Sequence, residues 1–82
     1  MNKYEIYKEM FNNCDNISKM IKDYANKKGH EILSKNIDVF VGDEETRKYF
    51  IDFEAKNNAG KYYRIRGNYT IEEMKKAGII EK

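Results

Sequence analysis

The chain has no proline or tryptophan, one cysteine, one histidine and five glycines, none adjacent to another, in 82 residues. Each scarcity removes a class of protein. A single thiol makes no intramolecular disulfide, so the fold is not stapled, and a reducing cytoplasm is the expected compartment. A metal site wants two or more His or Cys ligands at short spacing, which Cys14 and His30 do not supply. Isolated glycines form no phosphate-cradling loop. The longest apolar runs are two or three residues, far short of a membrane span. Met1-Asn2-Lys3-Tyr4-Glu5 has no charged-then-apolar leader pattern. A formal charge of +2, from 16 basic and 14 acidic residues, is too near balance for binding a polyanion by bulk charge. No membrane, metal or cofactor is expected.

What remains is a soluble composition with enough apolar mass for a core. Hydrophobic residues make up 40% of the chain and aromatics 13%, against 37% charged. That is one small domain, which buries only about 60% of its unfolded surface. A buried catalytic cavity is hard to sustain at this size, and dimerisation would help. Lys, Asn and Ile are frequent, as AT-rich codons favour, which fits a low-GC bacterium, a phage or a mobile element.

Periodicity gives the element order. Residues 2–28 carry a wide apolar stripe at 3–4 spacing: Tyr4, Tyr7, Phe11, Cys14, Ile21 and Ala25, flanked by Met10, Ile17 and Tyr24. Asn2 with Glu5 makes an Asn form of the capping box, and Gly29 is a natural stop after Lys27-Lys28. Asn12-Asn13-Cys14-Asp15-Asn16 competes for the backbone, so the helix is either continuous or broken near Asn13–Asn16. From Glu31 the period becomes two. Ile37, Val39 and Val41 mark a first strand, Gly42–Glu45 a turn, Lys48–Ala55 a second strand and Lys61–Gly67 a third.

Register decides the last hairpin. A two-residue turn at Asn58-Ala59 pairs Phe53 with Arg64 and mixes the faces. A three-residue loop with Gly60 left-handed instead pairs Ala55 with Tyr63, Phe53 with Ile65, Glu54 with Arg64 and Asp52 with Arg66. Only that register keeps one apolar face. Thr70-Ile71-Glu72-Glu73 is a capping box, Tyr69 and Met74 form a staple, and Gly78 ends a helix over 71–77 with Ile79 returning onto Met74. The fold class is therefore α+β, in the order α-β-β-β-α. A three-stranded antiparallel sheet is joined by a long N-terminal helix and a short C-terminal one.

Little in this sequence carries chemistry. His30 reads as a surface residue at a helix exit and Cys14 as a small core residue. Ser18 and Ser34 have no motif around them, and Asp43-Glu44-Glu45 lacks the alternating ligands of a calcium loop. A non-enzymatic protein is expected. Two surfaces stand out. Lys19, Lys22, Lys27, Lys28 and Lys35 form a basic stretch against only Asp23 and Glu31. Phe40, Phe50, Tyr62, Arg64 and Arg66 fall on the sheet face opposite the expected core, unless the short helix covers it. Aromatics beside arginines suit a protein hot spot or a single-stranded nucleic-acid platform, but Asp52 and Glu54 would neutralise those arginines.

The α-β-β-β-α order resembles that of double-stranded-RNA-binding domains, whose second helix opens with a lysine cluster where this one has Glu72-Glu73. The segment YFIDFEAKNNAGKYYRIRGNYTIEEMKKAG is similar to the arm-type DNA-binding domains of phage integrases, which also run a Gly-Lys hairpin into a Thr-capped helix. It departs from them in the acidic residues of its exposed face. Neither resemblance assigns the chain to a family. The expected function is binding of another protein, as a phage or mobile-element regulator or inhibitor, for example of a host defence nuclease. In that role the three rings anchor the partner, and the arginines and lysines give orientation and association rate. Nucleic-acid binding through the basic helix end, assisted by Arg64 and Arg66, is the alternative.

Overall fold

Asn2 caps the first helix by accepting a hydrogen bond from the Glu5 amide at 2.9 Å. A computed structural model describes residues 2–82 and shows α1, Lys3–Lys27, as one unbroken helix. Within the polar stretch, the Asn13 and Asn16 side chains bond other side chains rather than competing for the helix backbone. Asn16 Nδ2 donates to Asn13 Oδ1 at 3.2 Å, and Asn13 Nδ2 reaches the Tyr49 hydroxyl at 3.4 Å. Gly29 then takes φ 78°, the left-handed turn expected after the helix.

The buried stripe of α1 is narrower than its apolar residues suggest. Met10, Cys14, Ile17, Ile21 and Ala25 face the sheet, while Tyr4, Tyr7 and Phe11 stand in solvent. Successive 3- and 4-residue steps from Met10 onwards already complete a core-facing stripe. The N-terminal rings lie on a neighbouring one.

The sheet is antiparallel and centred on β3, Lys48–Lys56. Along one of its edges run β1, Glu31–Ile32, and β2, Asp38–Asp43; along the other runs β4, Tyr62–Tyr69. The expected first strand is thus present but interrupted. Between its two pieces, the Leu33 and Ser34 amides both donate to the Glu54 carbonyl, and the Glu54 amide donates to Ser34 Oγ at 3.1 Å. Gly42 belongs to β2 rather than to the turn. A Cβ there would sit 2.2 Å from Asn68 Oδ1, which reaches across the sheet from β4. The turn itself is residues 44–47, with Arg47 at φ 55°.

The β3–β4 hairpin has the register derived above, with Gly60 at φ 81°. It leads through Thr70 into α2, Ile71–Lys76. The capping box is complete, with Glu73 N to Thr70 Oγ1 at 3.1 Å and Thr70 N to Glu73 Oε1 at 2.9 Å. Beyond Gly78 the Ile79 amide returns to the Met74 carbonyl at 2.9 Å. This turn delivers Ile79 and Ile80 into the same cluster as Met74, Ile17, Ile21, Ile51 and Phe53. Both helices therefore cover one face of the sheet, and neither covers the other.

Candidate binding surfaces

Because the side chains of β3 alternate, Tyr49, Ile51, Phe53 and Ala55 are buried while Phe50, Asp52 and Glu54 point to the uncovered face. Phe40 lies opposite Phe50 on β2, and Asn68, Arg66, Arg64 and Tyr62 lie opposite Phe50, Asp52, Glu54 and Lys56 on β4. All five sheet residues singled out from the sequence are thus on one face. Phe40 and Tyr62 are 58% and 54% exposed there.

The electrostatics of this face centre on Asp52. Arg64 grips its carboxylate with two bonds of 3.0 Å, from Nε to Oδ1 and from Nη2 to Oδ2. Arg66 Nε lies 3.8 Å from Oδ2, and its guanidinium sits over the Phe50 ring at 5.9 Å. The Arg64 hydrogen bonds hold the Asp52 carboxyl below its ordinary range. Arg64 thus reaches diagonally past Glu54, its direct cross-strand neighbour, which bonds the Tyr62 hydroxyl instead. Tyr62 is pushed above the ordinary phenol value, first by desolvation and then by that bond. The face presents aromatic surface beside internally compensated charge.

The basic stretch is dispersed by the fold. Lys19 pairs with Asp23 at 2.9 Å, and Lys27 pairs with Glu81. Lys28 donates to the Gly78 carbonyl at 2.8 Å and lies over the Tyr24 ring, where burial pulls its pKa down. Lys22 and Lys35 have no ion pair among the described residues and flank a small cleft with Ser18, Ser34 and Ile37. His30 donates to or accepts from the Tyr63 hydroxyl through Nδ1 at 2.7 Å, and its pKa falls first through desolvation and then through Lys28. Cys14 is buried with its thiol pKa raised, chiefly by that burial.

A cavity of about 750 Å³ opens between α1, the 44–47 turn and the start of α2. Met10, Tyr49 and Ile71 line it beside Thr46, Thr70, Glu9 and Arg47. Its hydroxyls are in use, Thr70 Oγ1 as a cap and Thr46 Oγ1 as a donor to Asp43 at 2.7 Å. Neither His30 nor Cys14 lines it.

No known family, curated protein or solved structure matches this chain. Among the described residues, no helix is long and apolar enough to cross a membrane, and no group of three or more His, Cys, Asp or Glu is placed to hold a metal ion. Sequence periodicity missed the exposure of Tyr4, Tyr7 and Phe11. The signal was available, because Met10, Cys14, Ile17 and Ile21 already fill the core-facing stripe without them.

Proposed function

We propose that the protein is a small, non-enzymatic binding module that recognises another protein through the uncovered face of its sheet. The carrying observation is that α1 and α2 share one side, leaving Phe40 and Tyr62 more than half exposed on the other. Rings that immobilise few torsions on a rigid strand surface are suited to serve as anchors. Charge compensation by Asp52 favours a protein over a phosphate backbone, since Arg64 and Arg66 would have to leave a carboxylate to reach phosphate. The composition and size fit a regulator or inhibitor from a phage or mobile element, working in the cytoplasm.

Phe40→Ala with Tyr62→Ala should abolish capture of the partner from host extract, treated or untreated with nuclease, while the melting temperature holds. Undiminished capture by a folded double variant would overturn the sheet-face assignment. The nucleic-acid alternative draws support from Lys22 and Lys35, which have no ion pair among the described residues. It requires affinity for DNA or RNA that falls with salt at a slope near −0.7 to −0.9 per phosphate neutralised. No binding at low salt eliminates it.

A further inference from the structure

A second apolar surface lies on the other layer of the molecule. Tyr4, Tyr7 and Phe11 are 71%, 46% and 62% exposed, and the Tyr7 and Phe11 rings stack with centroids 6.2 Å apart. They occupy the first turns of α1, where no residue before Met10 is fully buried. The polar residues on the same stripe are Lys8, one turn after Tyr4, and Asp15, one turn after Phe11. Neither makes an ion pair among the described residues, although Lys3, Glu9, Lys19 and Asp23 nearby all do. The stripe thus runs Tyr4, Lys8, Phe11, Asp15 at steps of four, three and four residues, with Tyr7 beside it.

This pattern is complementary to itself when reversed. A two-fold axis between residues 11 and 12 of an antiparallel helix pair brings Phe11 against its copy and Lys8 opposite Asp15 twice. A parallel pair would instead set Lys8 against Lys8 and Asp15 against Asp15. We infer that the α1 stripe is a homodimerisation surface on which a second copy of this chain packs antiparallel. The area sets the strength. Three rings of roughly 150–250 Å² each, between 46% and 71% exposed, supply on the order of 350 Å² per chain. A stable interface buries about 800 Å² per partner, so this contact falls below the standard size and the dimer is weak and reversible. The sheet face is untouched by this contact and remains open to a partner.

Sedimentation equilibrium of the full chain from about 1 μM to 1 mM should show reversible monomer–dimer exchange. Phe11→Ala should leave only monomer, with an unchanged melting curve at concentrations where the parent is itself monomeric, because the ring is exposed. Lys8→Asp should weaken association by roughly tenfold or more, since it replaces two attractions by two repulsions. Asp15→Lys should do the same, and combining the two exchanges should restore the dimer. Monomer at every concentration overturns the proposal, as does a dimer indifferent to Phe11→Ala or not restored by the double exchange. Loss of partner capture on Phe11→Ala in a chain that is always monomeric would assign the stripe to a different protein and equally overturn self-association.

Discussion

Asp52 and His30 show what single side chains contribute here, and both can be read through pH. Asp52 titrates lower in the folded chain than in the unfolded one because Arg64 bonds its charged form. Between the two values the unfolded chain binds more protons, so this group's stabilisation is complete above an unfolded value near ~3.9 and is lost as pH falls through the folded one. Asp52→Asn should therefore lower the urea midpoint at pH 7, with the gap from the parent closing as pH drops below about 4. A gap that persists at the lowest pH would show that Asp52 acts through packing instead. His30 also titrates below its ordinary value, chiefly because the charged form is desolvated beside Tyr63. The sign is again that stability rises with pH, complete above about 6.5 and declining as the solution becomes more acidic. His30→Asn should flatten the stability profile below about pH 6.5, read from the same urea series. That Asp52 would serve both arginines was not legible in the sequence. Cross-strand register gives the facing residue, whereas a long guanidinium chooses among diagonal neighbours by geometry.

Among the elements, those defined by short-range chemistry were legible and those defined by packing were not. The capping box, the Gly78 turn and the Gly60 hairpin each lie within a few residues, and all have the expected form. The interruption between β1 and β2 was invisible because it depends on Ser34 bonding a strand 20 residues away. The breadth of the α1 stripe was overread for a related reason. A helix can carry two adjacent apolar stripes, and only the sheet beneath it decides which one is buried. The cap is worth testing at this scale, because α2 is only six residues long and holds Met74, Ile79 and Ile80 in the core. A helix so short depends on its ends. Thr70→Ala should cost about 1 kcal/mol, lowering the melting temperature by roughly 4–8 °C. Thr70→Ser, which keeps the hydroxyl, should lie close to the parent. Equal losses in both variants would mean that the Thr70 methyl, not its cap bond, holds the helix.

At the scale of the whole molecule, the sheet has one load on each side: a core beneath two helices and an open surface facing away from them. That asymmetry predicts opposite responses to truncation on adjacent strands. Ile51 is fully buried at the centre of β3, where strands and helices meet. Ile51→Ala removes methylenes from close-packed surroundings and should cost roughly 2–5 kcal/mol. Total stabilities of about 5–15 kcal/mol are usual for natural domains, and a chain this small belongs at the low end. The variant should therefore be marginal or unfolded at 37 °C, its loss spread over helix and sheet signals together because one cluster joins all the major elements. Phe40→Ala removes a larger side chain, but one already 58% in water on the opposite face. Its melting temperature should stay within a few degrees of the parent, consistent with a change of about 0.5 kcal/mol. Circular dichroism melts of the two variants make the comparison directly. Comparable destabilisation would mean that Phe40 packs in a second core, and the sheet would then have no free face to offer a partner.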